Sequence, residues 1–478
     1  MCAGGIEIKK RVLFMGKLQS LKGKLFYGVG AVGLDLSYGM FYSFLNKYLT
    51  DVLNLKANFL LILTPIARIW DGINDPMMGT IVDNTRTKMG KYRPWILRGS
   101  ILNAVVLALL FNNPGIPTEG IWIYAYIAVL YIGWGMTNTL ADIPYWSMVP
   151  SFTTDPKERS LIATVARTFS GLGQGIITIG APLAMKFISV TTSADGSKVW
   201  DARSFSVISL IAAAGLIFFA GLSVLKTKET VLTSAKEKFS FKKILNIAKN
   251  NDQLRTFMLF AMISNAGFYM ISGVGVYYFD VCAGDASLQG MFNTFGAVGS
   301  IVGLAVIPIG LKFTTRRRIY QFSLGLAAFG FFGMLLSAKA LGSMLVLYVF
   351  NLLAQTGTAA MFVSQTVFLA DIVDYGEVKM GFRAESVTFS MKGFLQKMAY
   401  TLQTVILYAG IYLTGYDSGL HAGNAAPVKT AFDLMMLVIP AVFMLVSLLI
   451  FTFRFKLHGK YMEDITAEVT RRREAREA

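Results

Sequence analysis

Apolar residues run in stretches of about 20 or more, broken by short polar segments, twelve times along the 478-residue chain. A helix needs about 20 mainly apolar residues to cross the hydrocarbon core of a membrane. The stretches lie at roughly 26–50, 57–80, 94–113, 119–149, 161–190, 203–225, 254–281, 287–311, 319–337, 342–371, 386–415 and 430–455. They predict twelve spanning helices. Their continuity argues against a strand barrel, whose signature is alternating segments of about ten residues. Helices also satisfy their own backbone groups where no water is available.

The longest polar break, KTKETVLTSAKEKFSFKKILNIAKNN at 226–251, comes after six spans and precedes six more. The pattern therefore predicts an all-α polytopic membrane protein of two six-helix halves: 1–225 with a cytosolic tail, a cytosolic linker at 226–252, a second bundle at 253–456 and a cytosolic tail at 457–478. Secondary transporters share that plan, with a binding site between the halves near the midplane. A weak internal likeness agrees with it. DPKERS (155–160) closes the fourth span, and DYGEVKMGFRAES (374–386) closes the tenth.

Composition adds orientation. The chain is 54% hydrophobic and 15% charged, with net charge +17, too apolar for an ordinary soluble domain. Cations concentrate in RTKMGKYR (86–93), in 226–249, which holds seven Lys, in KFTTRRR (312–318) and at both termini. By the positive-inside rule these face the cytoplasm, so both termini are expected to be cytosolic in a multi-pass membrane protein. The excess charge then serves topology and attraction to anionic membrane lipids rather than nucleic acid, which no soluble domain would organise. The N-terminus lacks a signal-peptide core and is expected to remain as a tail. Only Cys2, Cys282, His421 and His458 are available for soft-metal or disulfide chemistry, too few for a disulfide framework or a zinc or haem site. No nucleophile–base pair, metal cluster or phosphate loop is visible, so no enzyme and no cofactor are expected.

The second stretch contains ARIWDGINDPMMG (67–79). On a helix Arg68, Asp71 and Asp75 lie at i, i+3 and i+7, on one face, with Asn74 beside them. A charge at the bilayer centre costs at least about 2.5–3.5 kcal/mol, so three imply partners or a wet cavity. One Arg cannot neutralise two carboxylates. The surplus suits a monovalent cation, Na⁺ or Li⁺, held by Asp71 and Asp75, or a proton on a carboxyl of raised pKa. The blander alternative places Asp75 at the cytosolic end in water.

Asp35 in GVGAVGLDLSYG and Asp142 in GWGMTNTLADIPYWSMVP sit among small and aromatic residues. Buried carboxylates accept hydroxyl hydrogen bonds, and sugars offer hydroxyls in vicinal pairs. Trp146, at i+4 from Asp142, presents a ring able to stack on a pyranose, and Tyr42 lies at i+7 from Asp35. Arg167 in the fifth span and Lys397 in the eleventh are cations remote from the loops, and Lys397 is expected to seek the carboxylates of the first half. Lys392, five residues earlier, points about 140° away and is expected to snorkel toward the helix end.

ARIWDGINDPMMGTIVDNTRTKMGKYRPWIL, YGVGAVGLDLSYG, WGMTNTLADIPYWSMVP, KNNDQL, ADIVDYGEVKMGFRAESVTFS and FRFKLHGK together resemble the glycoside–pentoside–hexuronide:cation symporter family over nearly the whole chain. The resemblance implies the major facilitator fold and sugar transport coupled to Na⁺, Li⁺ or H⁺. It further implies a cation site at Asp71, Asn74, Asp75 and Thr139, and sugar-binding residues Asp35, Tyr42, Asp142, Trp146, Arg167 and Lys397. Three positions depart from the family's pattern: Leu34 for a Lys, Phe362 for a Trp and Gly393 for a Thr. GTIVDNTRTKMGKYR also resembles an expanded form of the superfamily's loop between spans two and three. There Gly79 would allow close packing, Arg68 would balance the site, and Asp83 with Arg86 or Arg93 would form a latch. Asp374, Glu377, Arg383 and Glu385 would serve the mirror loop; solvated charges that fix topology are the alternative. The expected partners are a galactoside, pentoside or glucuronide, the coupling cation and lipid, with the protein acting as a monomer by alternating access. The rival is a strictly H⁺-coupled carrier of a hexuronide or other anionic glycoside, with Arg167 and Lys392 pairing with its carboxylate.

Overall fold

A computed structural model describes residues 21–152, 156–192, 198–229, 249–338, 342–381 and 385–477. The chain divides into two compact units, Met1–Phe239 and Ser240–Ala478. The described residues are mostly helical, with only two isolated β-bridges, Thr87 to Gly90 and Thr192 to Lys198.

In the first unit, α1 (Leu21–Lys47) runs on through a wide turn, Tyr48–Val52, and is succeeded by α2 (Ala57–Asn84), α3 (Arg93–Leu110) and α4 (Ile121–Ser147). Then come α5 (Pro156–Gly175, continued by Ile176–Gly180 and Ala181–Ile188) and α6 (Ala202–Lys226). In the second unit are α7 (Asp252–Val281), α8 (Leu288–Gly310), α9 (Arg316–Leu336), α10 (Met344–Met380) and α11 (Glu385–Thr414). It ends with α12 (Ala426–Asp433, Leu434–Val438 and Ile439–Arg454) and α13 (Gly459–Glu477).

One packing scheme serves both units. In the first, α1 packs on α5 and α6, α4 on α2 and α3, and α3 on α6. In the second, α7 packs on α11 and α12, α10 on α8 and α9, and α9 on α12. The faint likeness between the halves of the sequence is thus a structural repeat. Small residues let these helices approach: a Cβ on Gly99 of α3 would meet Leu140 C and Ala141 N of α4 at 2.6 Å, and one on Gly330 of α9 would meet Ala354 N of α10 at 2.5 Å.

Seven described helices are long and apolar enough to cross a membrane: α3, α5 from Leu161, α6, α7, α9, α10 and α12. Outside that set are α8 and α13, together with α1, α2, α4 and α11, which carry Asp35, the Arg68–Asp75 group, Asp142 and the Lys392/Lys397 pair. Along α2, Ile62, Ile66, Ile69, Ile73, Met77 and Ile81 form an exposed apolar stripe on the side away from Arg68, Asp71 and Asp75.

Three expectations about element ends are corrected. α10 continues to Met380, nine residues past the expected end at 371, because Gly381 adopts φ 80° as its cap and α13 packs on the last turns. Arg472 Nη1 donates to the Glu377 and Val378 carbonyls at 3.3 Å, and Ile465 and Val469 of α13 are buried. Asp374 and Glu377 therefore lie on a helix that outruns its apolar stretch, not in a loop. The 457–478 tail is correspondingly a docked helix. DPKERS opens α5, with Pro156 as its first residue, whereas α4 ends earlier at Ser147.

Gly99→Ala forces α3 off α4 and is expected to cost about 1–3 kcal/mol. Gly133→Ala on α4, where a Cβ meets nothing within 4 Å, should leave thermal unfolding of the purified protein unchanged; equal melting temperatures for the two variants would refute the close-packing account. Beyond α12, His458 Nε2 meets Arg317 Nη1. Burial first, then the Arg317 charge, hold its pKa below the ordinary 6.5. The neutral ring is the folded form, so stability is full above about pH 6.5 and falls as pH drops through and below that value. His458→Gln should remove this part of the acid sensitivity in melting curves between pH 7.5 and 5.5.

Candidate functional site

Two helices in register build the charged centre. Asp71 and Asp75 lie one turn apart on α2, facing Gly135 and Thr139, one turn apart on α4. A Cβ on Gly135 would meet Asp71 Oδ1 at 2.7 Å, so only glycine lets α4 come this close to the carboxylate. One turn on, Thr139 Oγ1 donates to Asp75 Oδ1 at 2.9 Å. Arg68 and Asp71 are 2% and 4% exposed, and Arg68 Nη1 donates to Asp71 Oδ2 at 2.7 Å and to the Tyr42 hydroxyl at 3.0 Å. The guanidinium also lies 5.3 Å from the Tyr42 ring centroid, an arrangement that favours the charge where water is scarce.

Asn74 Nδ2 is buried without a hydrogen-bond partner among the described residues. An amide turned the other way would place its oxygen there, and O and N are exchanged without change of shape. The donor set is then carboxylate, hydroxyl and amide oxygen, which suits a hard monovalent cation.

A second cluster joins α1, α4 and α5. Trp146 Nε1 donates to Asp142 Oδ1 at 2.9 Å, and the Arg167 guanidinium carbon lies 3.8 Å from the Trp146 ring centroid. That ring face, expected to stack on a sugar, is thus covered by a cation. Asp35 is hydrogen-bonded by Ser170 of α5 and feels the charges of Asp142 and Arg167. Tyr38 lies within electrostatic reach of both Asp142 and Arg68, which connects the two clusters.

Residues that sequence reasoning missed hold these helices in place. Ser37 Oγ donates to Asn103 Oδ1 at 2.7 Å, Trp134 Nε1 donates to Ser37 Oγ at 3.2 Å, and Asn103 Nδ2 donates to the Trp134 carbonyl at 3.2 Å. Phe41 stacks on Trp134 with centroids 3.6 Å apart. Mid-span Ser and Asn are a usable signal for such networks, since a polar group there needs a partner.

In the second unit Lys397 is half-buried on α11. Lys392, expected to snorkel, instead donates from Nζ to Thr366 Oγ1 of α10 at 2.5 Å. Thr366 stands 14 residues before the end of α10, so the lysine reaches inward, where a hydroxyl is available. Arg316 Nη1 meets Asp371 Oδ1 at 3.4 Å, a pair that sequence reasoning did not name.

The expected latch is only partly visible. The side chains of Asp83 and Glu385, and all of Arg383, lie outside the described residues. Arg86 Nη1 donates to the Thr85 carbonyl at 2.9 Å. Arg93 gives Nε and Nη2 to the Val224 carbonyl at 2.9 and 2.6 Å, and Nη1 to the Met89 carbonyl at 3.1 Å. A Cβ on Gly79 would meet nothing within 4 Å, so its expected role in close packing is corrected. An unforeseen acid, Glu229, accepts from the backbone N–H groups of Lys91, Tyr92 and Arg93.

Residues 26–459 match the family model described as MFS/sugar transport protein. The raffinose carrier protein of Pediococcus pentosaceus is 27% identical, over 94% of this chain and 71% of its own. The isoprimeverose transporter of Lactiplantibacillus pentosus is 30% identical, over 84% and 82%. Among solved structures, the nucleoside transporter NupG superposes with TM-score 0.63 at 11% identity, over 91% of this chain and 100% of that one, a likeness of fold alone. With a family match across almost the whole chain, and the repeated six-helix packing that such transporters share, the chain belongs to the MFS/sugar transport protein family as a sugar symporter of the glycoside–pentoside–hexuronide type.

Proposed function

We propose that the protein imports a glycoside or oligosaccharide together with a monovalent cation across a bacterial cytoplasmic membrane, both termini inside. The observation that carries this reading is the register of α2 and α4, which sets Asp71, Asp75 and Thr139 together beside the Asp142–Trp146–Arg167 cluster. Asp71 and Asp75, with Thr139 and the Asn74 amide, hold Na⁺, Li⁺ or H⁺. Asp35 and Asp142 accept sugar hydroxyls, while Arg167 fixes the Trp146 indole through its π face. Tyr42, whose hydroxyl accepts from Arg68, and Lys397 on α11 are further sugar-binding residues. Oligosaccharide substrates of the relatives support a sugar of that class here.

Cation and sugar then help each other by simple electrostatics. A cation held by Asp71 and Asp75 relieves the repulsion between the carboxylates of α2 and helps to organise the neighbouring sugar-binding carboxylates. The coupling is reciprocal, sugar raising cation affinity by the same factor. Alternating access between the two six-helix units then moves both ligands together down their combined gradient.

A second reading rests on Arg167, which is exposed and has no carboxylate within ion-pair distance among the described residues. A hexuronide would bring that carboxylate, and the coupling ion would be H⁺.

Proteoliposomes decide between them. Uptake of lactose, raffinose and a glucuronide is measured under imposed Na⁺, Li⁺ or H⁺ gradients. A neutral glycoside driven by Na⁺ supports the first reading, and a glucuronide driven only by H⁺ supports the second. Movement of none under any gradient overturns both. Asp75→Cys should abolish gradient-driven accumulation while sugar binding persists; full accumulation by this variant removes Asp75 from the cation site. Asp142→Asn replaces an ionised acceptor worth about 1.5–3 kcal/mol per hydrogen bond, so sugar affinity should fall about 10- to 100-fold. An unchanged affinity would move the sugar elsewhere.

A further inference from the structure

One contact recurs at the start of the third helix of each unit. Arg93, the first residue of α3, donates to the Val224 carbonyl, two residues before α6 ends at Lys226. Arg317, the second residue of α9, donates from Nη2 to the Thr452 carbonyl at 2.7 Å, two residues before α12 ends at Arg454. In both cases a guanidinium satisfies an orphan carbonyl in the last turn of a helix, where a positive charge is favoured.

Past the helix end the two units diverge. In the second unit the next polar group against the arginine is His458, a base. In the first unit it is an acid: Glu229 Oε2 accepts from Lys91 N at 2.7 Å, and Oε1 from Tyr92 N at 2.8 Å and Arg93 N at 3.1 Å. These amides form the start of α3, where the helix dipole favours a negative charge. The end of α6 and the start of α3 therefore cap each other, cation on carbonyl and anion on amide. The loop is also shaped for the carboxylate. Gly90 sits at φ +109°, and a Cβ there would meet Glu229 Oε1 at 2.5 Å.

We propose that Glu229 is a positioning residue for transport, clasping the loop that leaves α2 to the point where the chain passes from α6 into the segment joining the two units. The proposal rests on the transport reading above. α2 carries Asp71 and Asp75, so the clasp makes the cation-bearing helix and the start of the linker one mechanical element. Glu229 touches neither ligand. It acts through the 91–93 amides, and its removal should slow the switch of access without weakening binding.

Glu229→Gln, Glu229→Ala and Glu229→Asp are compared with wild type in proteoliposomes, using whichever of lactose, raffinose and the glucuronide the wild-type protein carries fastest. Exchange at saturating sugar should fall at least about fivefold in the Gln and Ala variants, with the half-saturating sugar concentration within about twofold of wild type. The Asp variant, which keeps a carboxylate, should recover part of the rate. Amide hydrogen exchange of the full-length protein supplies a readout that needs no sugar: residues 85–93 and 228–251 should gain exchange together in the Gln and Ala variants. Rates within twofold of wild type, or rate and affinity lost in parallel, overturn the proposal. If no sugar is carried by wild type, the transport reading fails by itself, and unchanged exchange at 85–93 would separately dismiss the clasp. Should the Ala variant not fold, the Gln variant, which keeps one acceptor oxygen, carries the comparison.

Discussion

An ionised group removed from water must be met by partners, and in this protein the burden falls on three side chains of α2. Arg68 and Asp71 answer each other directly at 2.7 Å, but a close pair inside a protein roughly offsets its own desolvation and does little more. Asp75 meets α4. The hydroxyl of Thr139 reaches it only because Gly135, one turn earlier, has no side chain to hold the two helices apart. The rest of the first unit is arranged around keeping that register. Trp134 is clamped between Phe41 and the Ser37–Asn103 pair, which ties α1, α3 and α4 together one residue from Gly135. A slip of α4 along α2 would break the Asp75 contact and drive a side chain into Asp71 at once, so the site is stiff where the charges are.

The neighbouring cluster solves a different problem. Trp146 has two χ angles and a large ring; fixed at one edge by Asp142 and on one face by Arg167, it cannot turn. Asp142 thus meets the indole at its N–H edge and Arg167 meets it on a face. A carboxylate that remains an acceptor and a guanidinium that remains a donor are what a polyhydroxylated ligand can use.

Local features are legible in the sequence. Continuous apolar stretches mark the helices, and spacings of three and four put Arg68, Asp71 and Asp75 on one face because helical period is a property of neighbours. The partners of that face belong to another helix, and a single glycine among 45 does not announce which carboxylate it faces. Glu229 is silent for a related reason: it binds backbone amides, which have no signature in residue type. Lys392 reads as a snorkelling residue because a long cation usually finds water, yet Thr366 offers it a nearer oxygen. α10 reads too short because its last turns are polar, although a helix that emerges from an apolar layer can remain helical when another helix covers it, as α13 does. Family resemblance adds the expectation for Thr139, which spacing alone does not supply.

The repeated packing of the two units makes their chemical difference informative. Mid-helix in the second unit, the buried polar groups are mainly amides and hydroxyls. Asn351 Nδ2 donates to the Phe292 carbonyl at 2.7 Å, Thr356 Oγ1 to the Gly299 carbonyl at 3.0 Å and Gln365 Nε2 to Ser264 Oγ at 3.2 Å. Its described buried acids are Asp280 on α7, Asp371 and Glu377 on α10 and Asp433 on α12. Neutral partners can join helices without the large desolvation cost of an ion, so they hold a scaffold together without creating a surplus charge to be filled by a ligand. The first unit instead places Arg68, Asp71 and Asp75 on one helix face, and the second carries the half-buried Lys397 on α11. The repeat thus duplicates helix contacts without duplicating the three charged side chains that α2 gathers on one face.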